Sequence, residues 1–257
     1  MMNQRSQRGA TLIVILVILL LIMIIGTLAI RQSLVSLNIA TNSQAQQLMT
    51  ENSDAAIFNV ENLNSLNRQL AADGMFGYIN TDNNKGKELV FCYRGTQTKF
   101  FTLKNASIMQ WQDGATAPDG TSIGAQGYCS SSSSDNNYYT SGRRAVITQI
   151  SIQFMNNNST SIPFSGSLTG TDTDVAKVIQ PEKAIVHAIS LMPTLSSAST
   201  SDIDNCLSTK MSNPVVPSGV TPSKNANQSI SQCLAALNVP FTTHVSEYNL
   251  TQTLSSS

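Results

Sequence analysis

The sequence predicts an α+β chain in which one long N-terminal helix, apolar in its first half and amphipathic in its second, packs on an antiparallel β-sheet with long disulfide-tied loops. Three observations carry that expectation. Residues 9–30 hold no charge, apolar residues then recur at helical spacing as far as Leu70, and short alternating segments separated by turn formers follow residue 87.

The apolar run reads GATLIVILVILLLIMIIGTLAI and is bounded by Arg8 and Arg31. About 20 apolar residues at 1.5 Å rise each cross a hydrocarbon core of roughly 30 Å. A backbone in lipid satisfies its own hydrogen bonds as a helix, so residues 10–30 are expected to form the transmembrane half. Arg5 and Arg8, with no acid beside them, place the short N-terminal flank in the cytoplasm and everything after Arg31 outside it. A secretory signal peptide is the competing reading. Its apolar core is ordinarily about 7 to 15 residues, shorter than this one, and the nearest small-x-small pattern, Thr27-Leu28-Ala29, lies inside the run.

Beyond Arg31, Leu34, Leu37, Ala45, Leu48, Asn52, Ala56, Val60, Leu63, Leu66 and Leu70 recur at spacings near three and four, with one step of eight from Leu37 to Ala45, and Ser, Asn and Gln between them. Residues 31–70 are therefore expected to continue the helix as its amphipathic half, and a helix from Ala10 to Leu70 would reach roughly 90 Å. Gly74 is the expected terminator. Residues 71–257 then form the globular head. Within it, residues 88–93, 99–103 and 107–112 read as a meander, and residues 143–154 as the clearest strand, with Val146, Thr148, Ile150, Ile152 and Phe154 on one face. Residues 184–192 read as another strand, in which Ile185, His187, Ile189 and Leu191 alternate with Val186, Ala188 and Ser190. Residues 242–257 either add an edge strand or fray. The Ser-, Asn- and Thr-rich stretches 130–137 and 156–160, and much of 193–232, read as surface loops. A sheet laid over the stripe of the long helix follows from these two periods.

Composition narrows the chemistry. The 15 basic and 15 acidic side chains cancel, and charged residues make up 12% of the chain, about half the usual share, so no direct nucleic-acid site is expected. With only two histidines, His187 and His244, a histidine-rich metal centre has almost no raw material. Asp82-Asn83-Asn84-Lys85-Gly86 and Asp172-Thr173-Asp174 resemble fragments of calcium loops, but the first puts its glycine out of register. Gly86-Lys87 has no phosphate loop before it, and no serine sits in a G-x-S-x-G elbow. No catalytic residue, metal or cofactor is expected, and the chain reads as a non-enzyme. Cys92, Cys129, Cys206 and Cys233 all lie on the oxidising side, where disulfides are the natural state. Four cysteines allow three pairings. The sequential one, Cys92 with Cys129 and Cys206 with Cys233, is favoured because each closure would tether one polar excursion.

Arg8-Gly9-Ala10-Thr11-Leu12-Ile13 resembles the N-terminus of a type IV prepilin. The resemblance covers about the first 60 residues, and it implies a pilin-like fold. It implies that residues 1–9 are a leader, that a prepilin peptidase cuts between Gly9 and Ala10, and that the new amine of Ala10 is methylated. Thr11, Leu12 and Ile13 match the family pattern, whereas Ala10 replaces its phenylalanine and Val14 its glutamate. Within the family the apolar segment is most similar to the PilX-type minor pilins. The function this implies is a structural subunit at or near the pilus tip that primes assembly and supports adhesion, twitching motility and DNA uptake. The implied partners are other minor pilins, the major pilin, a large non-pilin tip adhesin, the peptidase and the inner-membrane assembly platform. The implied location is the inner membrane before assembly, with the head periplasmic, and then the pilus at the cell surface. Tip pseudopilins of type II secretion share the missing glutamate and form the nearest alternative. A single-pass anchored binding or sensor domain is the alternative of a different class.

Overall fold

The computed structural model describes residues 10–81, 83–125, 127–132, 138–141, 143–154 and 182–250, with side chains from Leu12 onward. The chain divides into two compact units, Met1–Ala45 and Gln46–Ser257. Helix α1, Ala10–Val60, supplies the described part of the first unit and the opening of the second.

The second unit is built on one antiparallel sheet of six strands: β1 (Glu88–Tyr93), β2 (Ala106–Gln110), β3 (Asp119–Ser122), β4 (Ile147–Phe154), β5 (Glu182–Leu191) and β6 (Phe241–Leu250), in the spatial order β3-β2-β1-β4-β5-β6. Residues 46–60 of α1 lie on one face of it. Their buried stripe is Met49, Ser53, Ala56, Ile57 and Val60, spaced three or four apart with Ile57 beside Ala56. Opposite it, the inward side chains of β5 are small: Ala184, Val186, Ala188 and Ser190, all fully buried. Small residues let the helix approach closely, and the larger Leu89, Phe91, Ile150, Ile152 and Phe154 fill the remaining volume. Among the described residues, the buried hydroxyls of this layer are closed on one another. The Ser53 hydroxyl donates to Ser190 Oγ at 2.8 Å, and Ser190 shares a second 2.8 Å bond with Thr148 Oγ1, so no buried hydroxyl is left without a partner. At the rim, β6 meets α1 and the residue just after it through polar side chains: Gln46 Nε2 donates to Thr242 Oγ1, His244 Nδ1 lies 2.8 Å from Asp54 Oδ1, and the Tyr248 hydroxyl donates to Glu61 Oε1.

The alternation expected for residues 143–154 is present from Ile147 onward, but both faces of β4 are buried. Gln149, Ser151 and Gln153 point away from α1 and are covered by the segments that the sequence marks as loops. Two of those segments are helices: α4 (Thr200–Thr209) and α5 (Ile230–Ala236) replace the expected surface loop 193–232 in these stretches. Each starts on a serine cap. Ser199 Oγ accepts from the Asp202 amide, and Ser229 and Gln232 form a reciprocal capping box. Each also carries Ile-x-x-Cys-Leu, which puts Ile203, Cys206 and Leu207, and Ile230, Cys233 and Leu234, on one helical face toward the sheet.

Three further expectations are corrected. The long helix ends at Val60, not Leu70: Asn62 leaves helical geometry and its side chain accepts from the Asn64 amide, which starts a short 3₁₀ turn, Leu63–Ser65. The chain then folds back as α2 (Leu66–Leu70), whose Gln69 Nε2 donates to the Asn59 carbonyl, one of the acceptors a helix end leaves open. Leu63 is consequently 81% exposed and absent from the stripe. Gly74, expected to terminate a helix, instead precedes one, α3 (Met75–Ile79). Residues 99–103 are not a strand. Strand β1 already has β2 and β4 on its two sides, so no ladder position is left there, and Phe100 and Phe101 pack edge-on against Phe91 at 5.5 and 5.0 Å instead. The four-residue β3 was not anticipated, and β6 shows that residues 241–250 add an edge strand.

These assignments predict opposite outcomes for two apolar residues near the end of α1. Ile57→Ala opens a void under the helix and is expected to cost about 2–5 kcal/mol in urea unfolding of the full chain in detergent. Leu63→Ala is expected to stay within about 0.5 kcal/mol of the parent.

Candidate assembly helix and disulfide-tied head

Two features stand out as candidates for function: the uncovered apolar part of α1 and the far side of the head sheet. In the first unit Ala10 opens α1, and no acidic residue lies in its first turn. The large side chains between Leu12 and Ile25 are 47% to 67% exposed, Val14 among them at 56%. The helix is long and apolar enough to cross a membrane or to act as a signal-like segment, with a mean hydropathy of 3.4 over its most apolar window. Among the described side chains, the threonine hydroxyls of this part of the helix bond back to its own carbonyls. Thr27 Oγ1 donates to the Ile24 carbonyl at 2.9 Å, and Thr41 Oγ1 to those of Leu37 and Asn38 at 3.0 Å. The run up to Ile30 is uncharged, and a contiguous apolar face of this size calls for an apolar covering.

On the far side of the sheet, Cys92 is bonded to Cys129 and Cys206 to Cys233, the sequential pairing. The closures span 37 and 27 residues, and each contributes roughly 3 to 4 kcal/mol on a chain-entropy account. The two tethered excursions meet on a single buried side chain. Gln149 Oε1 accepts from the Cys129 amide at 3.0 Å while its Nε2 donates to the Leu207 carbonyl at 2.9 Å. A second clasp is Asp204 on α4. Its carboxylate accepts from the hydroxyls of Ser130, Ser131 and Ser132 and from the amides of Ser131 and Ser132. Burial pushes the Asp204 pKa up, but these hydrogen bonds outweigh it and hold the carboxyl below the ordinary aspartate value. Glu88, fully buried beneath the same excursion, is shifted the other way. Burial raises its pKa although the Ser212 amide lies 3.0 and 2.9 Å from its two oxygens.

Neither the Gln149 bridge nor the Asp204 clasp was anticipated from sequence. The serine run after Cys129 reads as a loop, and only the acid one turn into a capped helix hints at its partner. His187 lies on the far face of β5, where burial holds it below the ordinary histidine pKa and Nε2 has no hydrogen-bond partner. His244, three residues from Glu247 in sequence, meets Asp54 across 190 positions. Among the described residues, no three His, Cys, Asp or Glu side chains gather as a metal set. Gly9, Asp82 and the Asp172-Thr173-Asp174 segment lie outside the described residues.

A carboxylate whose folded-state pKa is depressed stabilises the fold above its unfolded pKa and loses that contribution as pH falls through the folded value. Asp204→Asn is therefore expected to lower the urea midpoint at neutral pH. Its deficit against the parent is expected to shrink as pH drops below about 4, in parallel denaturation curves. Comparison of the chain with protein-family models, with curated proteins and with solved structures finds no match.

Proposed function

We propose that the chain is a minor pilin of the PilX type, a non-enzymatic subunit that primes type IV pilus assembly and sits at or near the tip. The observation that carries this reading is the α1 segment from Ala10 onward. It is uncharged to Ile30, its large side chains from Leu12 onward are exposed, and it follows a basic stretch that ends in Gly9. The pilin-like arrangement of a helix stripe on an antiparallel sheet, with disulfide-tied loops behind it, supports the same reading.

The mechanism follows from the solvent that this helix needs. Before assembly, lipid covers its Leu, Ile and Val side chains. Leader removal at Gly9 frees the Ala10 amine, and on leaving the bilayer the helix exchanges lipid for neighbouring helices, an apolar-to-apolar transfer with little hydrophobic cost. Val14 sets the place in the fibre. A charged residue at a helix centre in lipid costs on the order of 2.5 to 3.5 kcal/mol on insertion scales, and the family's glutamate offsets such a cost by pairing with a neighbour's terminal amine. With Val14 that attraction is absent, which suits a subunit that initiates the stack better than one repeated along it. The head then presents its loops to other minor pilins and to a large tip adhesin, with adhesion, twitching motility and DNA uptake downstream. Tip pseudopilins of type II secretion share the Val14 feature. Loss of motility on deletion favours the pilus; loss of enzyme secretion favours that second system.

Mass spectrometry of the N-terminus in sheared surface fibres and in inner membranes tests the reading. A methylated terminus at Ala10 in the fibre fraction, abolished by a Gly9 substitution that blocks cleavage, is the expected result. An intact leader confined to membranes would make the chain a single-pass anchored domain.

A further inference from the structure

A cleft of about 680 Å³ lies at the end of the sheet where β1 begins and β2 and β4 finish. Its volume falls within the roughly 300–1,000 Å³ of a small-ligand site. Glu88 pairs with Met109 on one side and with Gln153 on the other, which brings Gln110, Trp111 and Gln153 to the same end, and the excursion over the far face adds Asn213. The polar lining is mostly carboxamide. Gln110, Gln112, Gln153 and Asn213 converge there beside Trp111 and Asp113.

These carboxamides are left open, unlike Gln149, which uses both of its ends. Gln153 is 6% exposed, donates from Nε2 to the Gly86 carbonyl at 3.3 Å, and leaves its Oε1 buried with no donor. Among the described residues, the side chains of Gln110, Gln112 and Asn213 make no hydrogen bond within the chain. Trp111 is held in place: Nε1 donates to the Ala115 carbonyl at 2.7 Å, and the residue packs against the buried cluster of Val90, Met109, Tyr128 and Met211. The charges around the cleft cancel. Lys85 pairs with Glu182 at 2.7 Å, and Lys87 is balanced in sign by Asp113.

A carboxamide offers two donors and an acceptor without charge, which complements a sugar hydroxyl, itself both donor and acceptor. A fixed aromatic ring offers the C–H face of a sugar a surface to stack on. An anion would need a cationic surplus that the cleft lacks, and an apolar ligand would bury the carboxamides unpaired. We propose that this cleft binds a neutral oligosaccharide. A sugar hydroxyl at the floor supplies the donor that Gln153 Oε1 lacks, reached by a small turn about the soft last torsion of that side chain. The other carboxamides hold flanking hydroxyls, and Trp111 carries the apolar face of the ring. Every residue involved belongs to the head unit, so the site stands whatever covers α1.

Trp111 is the only tryptophan in the chain, so its emission reports occupancy of the cleft directly. The full chain is held in a polyoxyethylene detergent, which carries no sugar headgroup, and titrated with maltotetraose, cellotetraose, N-acetylated chitotetraose and lacto-N-tetraose. The expected result is a saturable change in emission with at least one of these sugars. The double variant Gln112→Ala and Asn213→Ala is expected to weaken that binding roughly tenfold or more, through the hydrogen bonds it removes. Gln112→Ala alone, at an exposed position, is expected to weaken it severalfold and keeps the test decisive if the double variant does not fold. No saturable change with any of the sugars, or unchanged affinity in Gln112→Ala, would overturn the proposal. An equal response to tetraglycine, or a tighter one to a sulfated heparin tetrasaccharide, would also overturn it, by identifying a peptide cleft or an anion site.

Discussion

The head depends on the contact between a five-residue stripe of α1 and the row of small side chains on β5. Ala184, Val186, Ala188 and Ser190 leave room for the helix, and Met49, Ala56, Ile57 and Val60 fill it. Burying a side chain of the size of Ile57 or Met49 is worth about 1.5–3 kcal/mol, so this short stretch anchors α1 to the sheet. The hydroxyl chain Ser53–Ser190–Thr148 fixes the register of helix on sheet. Slipping the helix by one position would strand those hydroxyls, at about 1–3 kcal/mol for each unsatisfied group. From this contact the other layers follow. One sheet face is committed to α1, so the far face must be covered by something else, and the disulfide-tied excursions cover it.

The far-side layer shows how a polar sequence can still build an interior. Gln149, Ser151 and Glu88 would be costly under an apolar cover, yet each is met by a backbone or hydroxyl group from the excursions. The disulfides keep those partners close in the unfolded chain, and the hydrogen bonds choose where they land. The opposite situation holds in α1 between Leu12 and Ile39, where the large apolar side chains are exposed. A protein that pairs Gln149 and Glu88 under cover in its head, and exposes a run of Leu, Ile and Val in its helix, is organised for an apolar environment at that helix.

Much of this was legible in the sequence. The uncharged run, the strands at residues 88–93 and 184–192 and the alternation of 143–154 are strong local periods, and tertiary contacts left them in place. The failures share a cause. Residues 99–103 have the composition of a strand, but pairing is decided by which sheet edges are free, and β1 had none. Leu63, Leu66 and Leu70 keep helical spacing, while Asn62 offers the backbone a competing bond that ends the helix before they join the stripe. Helices α4 and α5 were hidden by polar composition, although Ser199-x-x-Asp202 and Ser229-x-x-Gln232 are capping signatures and each precedes or overlaps an Ile-x-x-Cys-Leu face. The Asp204 clasp and the Gln149 bridge join residues far apart in the chain, and no local pattern encodes such meetings.

The central claim is that the apolar run of α1 is always covered by lipid or by other helices and never faces water. Single cysteines introduced as Leu20→Cys in that run and Thr221→Cys on the exposed head surface, probed with a water-soluble maleimide in isolated membranes and in sheared fibres, test it directly. The account predicts that Thr221→Cys is labelled in both fractions while Leu20→Cys is protected in both. Labelling of Leu20→Cys as fast as Thr221→Cys in either fraction would contradict it.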